Sequence, residues 1–219
     1  MKIEQYVSIP TELVKLFNGR EIWAATDNLQ SFIASFRMDK NGNVIHKTAK
    51  IHHTAIVQNS YIGPKTVVYE FVTIRESFVW ENIQIGHSSE VVRSIILRNS
   101  SIPRFNYVGA SIVGNNVRLG GMCAFASRRF DDHKVFIVNK GERLETGKNK
   151  FGSVIGDNTI IGFAAHGNPG TVIGKNCIIM PHVELKGVVP HNSVVSVQQS
   201  IIFSKKRDVE SLGLQNLKR

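Results

Sequence analysis

Three side chains that could bind or activate a small molecule lie close together in residues 101–111, which read S-I-P-R-F-N-Y-V-G-A-S. They are Arg104, Asn106 and Tyr107. A guanidinium keeps its proton at any working pH and forms paired hydrogen bonds with phosphate or carboxylate groups, so Arg104 favours anion binding and cannot act as a base. The stretch therefore predicts a binding site whose proton acceptor lies elsewhere in the chain.

The candidate bases are three histidines, because imidazole exchanges its proton near neutral pH. They are His87, His133 and His166. His133 directly follows Asp131 and Asp132, and a neighbouring carboxylate raises the basicity of an imidazole. Each of the three is also a common polar residue at a turn, and that alternative stays open. No three histidines assemble convincingly into a zinc site, so no metal is predicted.

An apolar residue recurs about every six positions on both sides of residues 101–111, and the predicted inward positions before it are Ile51, Val57, Ile62, Val68, Ile74, Trp80, Ile85, Val91 and Leu97. After it they are Val108, Val113, Leu119, Phe125, Ile155, Ile161, Gly167, Ile173, Ile179 and Leu185. This period indicates a solenoid of short parallel strands, in which roughly eighteen residues close three sides. Glycine often follows an inward position, which predicts corners where φ is unusual. Residues 101–111 interrupt the repeat in this interpretation.

The other segments differ from the repeat. Residues 1–45 are predicted to form two short amphipathic helices, with Thr11 and Asp27 as caps and Asn18-Gly19 as a stop. Residues 46–203 form the repeat domain. Residues 126–153 lack the period and predict an inserted arm with a β-hairpin. Residues 204–219 are a basic tail that could form a short C-terminal helix.

The composition excludes several classes of protein. The chain has 219 residues, a formal net charge of +10 and 42% hydrophobic residues. It contains no apolar run as long as a membrane span, and its first residues do not predict a secretory signal. The positive charge is diffuse, so we predict an anionic small molecule rather than nucleic acid or a membrane as the partner. Cys123 and Cys177 are predicted to be buried free thiols, and a cytoplasmic location is expected.

A set of motifs in one order resembles a known family. The motifs are Ile102-Pro103, F-N-Y-V-G at 105–109, R-F-D-D at 129–132, K-F-G at 150–152 and N-P-G-T-V-I-G at 168–174. They resemble the hexapeptide-repeat, left-handed parallel β-helix acyltransferases. Over residues 51–195 they are most similar to the C-terminal acetyltransferase domain of the bifunctional UDP-N-acetylglucosamine pyrophosphorylase/glucosamine-1-phosphate N-acetyltransferase group. The resemblance does not extend to the nucleotidyltransferase domain, so uridylyl transfer is not expected.

The resemblance implies an all-β left-handed parallel β-helix that forms a homotrimer, with acetyl-CoA as the acyl donor and sites in the grooves between copies. The residues implied for substrate binding are Arg104, Asn106, Tyr107, Ser127, Arg129 and Lys150. Those implied for CoA binding are His166, Gly167, Asn168 and Lys186, and Gly167 is predicted to open a path for the pantetheine chain. Three positions depart from the family, which has a histidine at Arg104, an asparagine at Ser127 and often an acid at Ala110.

The leading hypothesis is a CoA-dependent N-acyltransferase that acts on an amino sugar, phosphorylated or nucleotide-linked. The alternative is a non-catalytic trimer that binds a sugar phosphate or nucleotide sugar, or acts as a scaffold, because Arg104 replaces the presumed family base. Metal-dependent hydration or hydrolysis is a third hypothesis, which would require bound zinc.

Overall fold

The main body is a left-handed parallel β-helix, which confirms the predicted all-β fold. The computed structural model describes residues 1–17 and 21–203. Each complete coil of the β-helix adds one strand to each of three parallel sheets, called here the first, second and third sides. Apolar side chains from all three sides fill the interior.

The strands of the first side are β1 (Val44–Ile45), β4 (Tyr61–Ile62), β7 (Phe78–Val79), β10 (Ile95–Ile96), β13 (Ile112–Val113), β17 (Ser153–Ile155), β20 (Thr171–Ile173) and β23 (Val188–Val189). The strands of the second side are β2 (Lys50–Ile51), β5 (Val67–Val68), β8 (Gln84–Ile85), β11 (Ser101–Ile102), β18 (Ile160–Ile161), β21 (Ile178–Ile179) and β24 (Val194–Val195). Arg118 bridges β11 to β18. The strands of the third side are β3 (Ile56–Gln58), β6 (Thr73–Arg75), β9 (Glu90–Val92), β12 (Tyr107–Gly109), β14 (Ala124–Phe125), β19 (His166–Gly167) and β22 (Glu184–Leu185).

The early coils are 17 residues long, one fewer than the predicted length, since Ile62 pairs with Val79 and Val79 with Ile96. Val79 and Ile96 therefore point into the interior, and the predictions of Trp80 and Leu97 as inward residues are wrong by one position. Ile102 is also inward and pairs with Ile85. The predicted interruption at residues 101–111 is thus wrong, because this stretch is an ordinary part of the repeat.

Glycine follows the inward residues because successive coils approach closely, and not because of φ as predicted. A Cβ on Gly63 would lie only 2.3 Å from the carbonyl oxygen of Trp80 in the next coil. The left-handed backbone conformation occurs instead at the corner residues, many of which are asparagines. One ladder of side-chain amide hydrogen bonds, each 2.9–3.1 Å long, joins the corner residues Asn82, Asn99, Asn116, Asn158, Asn176 and Asn192.

The N-terminal segment covers the outer surface of the first side, where its apolar residues pack against Phe78, Ile95 and Ile112. Its helices are the 3₁₀ helices Ile3–Gln5, Thr11–Leu13 and Ile22–Asn28, with α1 (Val14–Phe17) and α2 (Leu29–Ala34). The predicted caps are wrong, since the residues before Thr11–Leu13 and α2 are Pro10 and Asn28 and neither makes a side-chain capping bond. The predicted stop at Asn18-Gly19 and the predicted C-terminal helix lie outside the described residues.

The inserted arm forms the predicted hairpin, β15 (Phe136–Asn139) paired antiparallel with β16 (Glu142–Glu145). Val135 and Ile137 are fully buried and pack against the outer surface of the first side. The contact is close, because a Cβ on Gly170 would lie 2.3 Å from the carbonyl oxygen of Phe136. The hairpin and the N-terminal segment together cover the first side, so the open surfaces are the second and third sides.

Cys123 and Cys177 are buried free thiols, as predicted, and burial raises the pKa of Cys123 above its usual value. Across residues 1–17 and 21–203, we find no helix with the length and apolar character needed to cross a membrane.

Candidate functional site

The corner between the second and third sides contains a cavity of about 300 Å³, called here the corner cavity. Its walls are formed by Tyr69, Glu70, Gln84, Gly86, His87, Ser101, Pro103 and Arg104. His87 and Arg104 lie in consecutive coils, where the amide N–H of Phe105 donates to the carbonyl oxygen of His87 at 3.0 Å. His87 and Arg104 are 17 positions apart, which is one coil, so the repeat brings them together at this corner.

The imidazole of His87 is held between two exposed phenyl rings. The ring centroid lies 5.4 Å from that of Phe71 and 5.6 Å from that of Phe105, with both contacts nearly perpendicular. Both phenylalanines have left-handed backbone conformations at the corner, which turns their rings outward. Neither ring nitrogen of His87 has a hydrogen-bond partner among the described residues, so the imidazole is oriented by the two rings and both nitrogens are available to a ligand.

Asn106 lies just behind the corner cavity and is only 2% exposed. Its amide group donates to the carbonyl oxygens of Pro103 at 2.8 Å and Arg104 at 3.3 Å, and its oxygen accepts from the N–H of Cys123 at 3.0 Å. All of its hydrogen-bonding groups are therefore used to hold the main chain of the corner. This geometry indicates that Asn106 positions Arg104, whereas the resemblance implies that it binds substrate.

Tyr107 and His166 share one row on the outer surface of the third side. Tyr107 pairs with Ala124, and Ala124 pairs with His166. Neighbouring strands lie about 4.8 Å apart, so the main chains of Tyr107 and His166 are about 10 Å apart. The Tyr107 hydroxyl lies over Gly109, where a Cβ would come within 2.6 Å of it. This row places a phenol and an imidazole on the same open surface.

A second cavity, of about 400 Å³, lies between the arm and the third side and is called here the arm groove. Its walls are formed by Ala126, Arg128, Arg129, Phe130, Phe136, Val138, Asn168, Pro169, Lys186 and Gly187. The groove brings Arg129, from the implied substrate set, together with Asn168 and Lys186 from the implied CoA set. Asn168 donates to the Glu184 carboxylate at 2.7 Å, whereas Lys186 has no ion-pair partner among the described residues.

The two arginines of the arm groove are already paired with carboxylates. Arg129 binds Asp131 through both of its forked nitrogens and lies 4.6 Å from the centroid of the Phe136 ring. This pairing lowers the pKa of Asp131 to about 2. Arg128 binds Asp132 at 2.8 Å. Lys186 is therefore the cation of this groove that is most available to an anionic ligand.

The remaining candidate residues lie apart from these cavities. Lys150 is exposed beside Ala110 in a third cavity of about 170 Å³, which also contains Glu76 and Arg93. Ser127 is 9% exposed, and its carbonyl oxygen accepts from the N–H of Phe151 at 2.9 Å. These positions separate Lys150 from Arg104 within one chain.

One expectation about the third side needs correction. The prediction that Gly167 opens a path for a ligand is wrong, because a Cβ there would lie 2.6 Å from the fully buried Phe125 ring. The space above Gly167 is thus occupied by the core. The Asp131 carboxylate binds Arg129 and also accepts a hydrogen bond from the backbone N–H of His133 at 3.3 Å.

Two residues of the corner cavity, Tyr69 and Glu70, were missed by the reasoning from sequence. Both lie 17 positions before Gly86 and His87, in the preceding coil, as shown by the hydrogen bond from the N–H of Tyr69 to the carbonyl oxygen of Ile85 at 3.0 Å. The correct coil length would have found them. Among the described residues, no group of three or more histidine, cysteine, aspartate or glutamate side chains could hold a metal ion.

Comparisons with known proteins agree with this fold. Residues 40–140 match the family model described as the GMPPB C-terminal domain, and residues 152–187 match the bacterial transferase hexapeptide (six repeats). The chain is therefore a hexapeptide-repeat protein of the left-handed β-helix class. Within that class it is similar to the C-terminal part of GlmU proteins, which confirms the resemblance seen in the sequence motifs.

The bifunctional protein GlmU of Methanocaldococcus jannaschii is 36% identical over 146 residues, which are 67% of this chain and 33% of that protein. A bifunctional sugar-1-phosphate nucleotidylyltransferase/acetyltransferase of Sulfurisphaera tokodaii is 34% identical over 123 residues, which are 56% of this chain and 28% of that protein. The chain thus spans about a third of the length of the curated relatives it matches.

Two of the solved structures that match are similar to this chain only at low sequence identity and low TM-score. One is a variant of AntD, an N-acyltransferase from Bacillus cereus, in complex with dTDP-4-amino-4,6-dideoxyglucose and coenzyme A. It is 16% identical with a TM-score of 0.39, and the match covers 80% of this chain and 90% of that one. Another is the acetyltransferase domain of PglB from Neisseria gonorrhoeae, which is 12% identical with a TM-score of 0.36, covering 77% and 60%.

Proposed function

We propose that the chain is a CoA-dependent N-acyltransferase that acts on an amino sugar, phosphorylated or nucleotide-linked. The observation that carries this proposal is the 36% identity to GlmU over 146 residues, which are 67% of this chain. The related protein of S. tokodaii is also named an acetyltransferase. Acetyl-CoA is the proposed donor, and the chain acts in the cytoplasm.

In this proposal the acceptor binds in the corner cavity. Arg104 grips its acidic group through paired hydrogen bonds. His87 takes a proton from the acceptor amine, because its ring is oriented by Phe71 and Phe105 and its nitrogens lack partners in the described part of the chain. His166 and His133 are less well placed, since each is exposed and lies away from Arg104.

The reaction is a direct acyl transfer. The amine nitrogen attacks the thioester carbonyl carbon while His87 accepts the amine proton. The tetrahedral intermediate then collapses, the C–S bond breaks, and the CoA sulfur leaves and takes the proton from His87. The products are an amide and free CoA thiol.

A homotrimer completes the proposed site. In one chain, the corner cavity opens on the second side, and the row of Tyr107 and His166 lies on the third side. The outer row of the second side continues with Ile160, Ile178 and Val194, which are 44%, 43% and 69% exposed. Such an apolar row supports contact with a neighbouring copy. Packing the second side of one copy against the third side of the next brings the two half-sites together.

CoA is proposed to lie along the third side, near His166, Asn168 and Lys186. Lys186 supplies a cation for its phosphate groups, and the apolar walls of the arm groove, Phe130 and Pro169, contact its uncharged parts.

The second candidate function is binding without catalysis. Arg104 favours it, because the resemblance places a histidine there and a guanidinium cannot accept the amine proton. Under this alternative the same cavity binds a sugar phosphate or nucleotide sugar, and acetyl-CoA is not consumed.

The experiment that separates these functions measures release of CoA thiol. Purified protein is incubated with acetyl-CoA and a panel of amino-sugar phosphates and nucleotide-linked amino sugars. His87→Asn is expected to lower the rate by about 100-fold or more. The matched control is His182→Asn, because His182 lies in the same corner four coils on and also packs edge-on against a phenyl ring, that of Phe163. Release that is absent with every acceptor, or unaffected by His87→Asn, refutes the proposed mechanism.

A further inference from the structure

Glu70 and Arg104 place opposite charges on either side of the corner cavity without forming an ion pair with each other. They lie two coils apart, with His87 in the coil between them. Because each coil rises about 4.8 Å, the two main chains are about 10 Å apart. The ion-pair contact of Glu70 within the described residues is with His52, at 4.0 Å, the outer limit for such a pair. Arg104 has no partner there.

Other glutamates and arginines on this β-helix show what a structural pair looks like. Glu76 pairs with Arg93 at 2.8 Å, and Glu81 pairs with Arg98 at 3.3 Å. In both pairs the residues lie 17 positions apart, in adjacent coils, so their side chains meet directly. Arg104 departs from this pattern, because its neighbour in the adjacent coil is not a glutamate. The spacing at the corner cavity leaves a gap between the charges.

The gap is lined by further polar groups. The side chains of Tyr69, Gln84 and Ser101 face the cavity and have no hydrogen-bond partners within the described part of the chain. A phenol, an amide and a hydroxyl can together satisfy the hydroxyl groups of a sugar. A volume of about 300 Å³ is at the lower end of the range for small-molecule sites.

We propose that the corner cavity recognises a single small molecule that carries both an amine and an acidic group. The Glu70 carboxylate contacts the protonated amine, and the Arg104 guanidinium contacts the acid. This inference rests on the proposed function in taking the ligand to be an amino sugar, and it adds Glu70 as the residue that selects for the amine. The acid can be a phosphate or a carboxylate, because a guanidinium binds both in the same way.

The charge arrangement also explains the order of events in the proposed site. Glu70 holds the amine in its charged form on arrival, and this ammonium loses one proton to solvent before it can attack. His87 lies between Glu70 and Arg104 in the column of coils and takes the second proton during the attack. The amine is thus held next to the imidazole that takes its proton. A ligand without the amine leaves Glu70 facing a neutral group, and a ligand without the acid leaves Arg104 unpaired.

The test is calorimetric binding to the 219-residue chain without CoA. The probes are glucosamine 1-phosphate, glucosaminuronic acid, glucosamine and glucose 1-phosphate. The first two carry both groups and are expected to bind about tenfold or more tightly than the last two, which carry one each. Tighter binding of glucosamine 1-phosphate identifies phosphate as the preferred acid, and tighter binding of glucosaminuronic acid identifies carboxylate. Equal binding of glucosamine 1-phosphate and glucose 1-phosphate overturns the proposal.

Variants assign the roles of the two charged residues. Glu70→Gln is expected to reduce binding of glucosamine 1-phosphate about tenfold while leaving glucose 1-phosphate unchanged. Arg104→Gln is expected to weaken both. The matched control is Glu76→Gln, which removes a glutamate that is paired with Arg93 and lies six residues further on in the same coil. A loss of the same size for Glu76→Gln as for Glu70→Gln overturns the proposal.

The failure of this inference and the failure of acyl transfer have different readouts. Selective binding of the two-charge probes without thiol release supports the recognition and refutes the transferase. Thiol release at an unchanged rate in Glu70→Gln refutes the recognition and leaves the transferase standing. Urea midpoints of the variants, which are expected to match the unmodified protein, show that the binding losses are not caused by unfolding.

Discussion

Gly167→Ala is expected to destabilise the protein by about 1–3 kcal/mol, because the new methyl group overfills a packed interior. The Cβ would lie 2.6 Å from Cδ1 of Phe125 and 2.8 Å from Oγ of Ser153. Ordinary contacts begin at about 3.4 Å. The ring of Phe125 is fully buried, as is Ser153, so neither can move away without disturbing its own neighbours.

Urea unfolding followed by tryptophan fluorescence measures this change. The matched control is Gly121→Ala, where the nearest atom is 3.6 Å from the new Cβ and the glycine does not have a left-handed backbone. Its urea midpoint should stay close to that of the unmodified protein. Phe125→Leu provides a rescue, since a smaller side chain makes room for the methyl group. The double variant is expected to be more stable than the sum of the single effects by about 0.5–3 kcal/mol.

The same variant tests whether Gly167 is needed for packing against Phe125 or for admitting a ligand. If the glycine is needed to make room for Phe125, the loss in Gly167→Ala is a loss of stability, and acetyl-CoA binding per folded molecule is unchanged. If the glycine is needed to admit a ligand, Gly167→Ala keeps its urea midpoint and loses acetyl-CoA binding. The second result would refute the reasoning from packing.

Three further results are expected. Arg129 lowers the pKa of the Asp131 carboxyl to about 2, so this carboxyl is expected to stay ionised until the pH falls well below about 4. The stability that its contact with Arg129 contributes to the arm is therefore present above the unfolded-state pKa and is lost as the pH falls towards about 2. Titration of this carboxyl near pH 4 in carbon NMR would contradict the prediction. Asn116→Ala should cost more stability than Asn116→Gly, because both break the amide ladder but only alanine also strains the left-handed corner, and equal urea midpoints would contradict this. Cys123 and Cys177 should react with a thiol reagent only after unfolding, and rapid labelling of the native protein would show that they are accessible.

The fold could be predicted because the period of the interior residues is set by the coil itself. The errors at Trp80 and Leu97 arose where two apolar residues are adjacent in sequence. Both surfaces of the first side are buried, one by the interior and one by the N-terminal segment, so hydrophobicity does not distinguish Val79 from Trp80. Periodicity alone cannot decide between neighbours that are both covered.

The candidate site could be predicted only in part. The approach of His87 to Arg104 follows from the repeat, whereas Glu70 requires the coil length to be correct over two coils. The hydrogen bonds that commit Asn106 to the main chain could not be read from its position in the sequence. The separation of Lys150 from Arg104 depends on the course of the arm, which has no period to reveal it.

The coil length has a consequence for how this protein can change in size. Ile155 pairs with Ile173, 18 positions on, and Ile173 pairs with Val189, 16 positions on. Relative to the 17-residue coil, the first of these coils has one extra residue and the second has one fewer. The later corners therefore align again with the earlier ones. A whole coil can be duplicated or deleted in frame as one block, which moves everything beyond it by a single step of about 4.8 Å along the axis. The number of coils therefore sets the distance between the two ends of the β-helix, and so the distance between any groups attached to those ends.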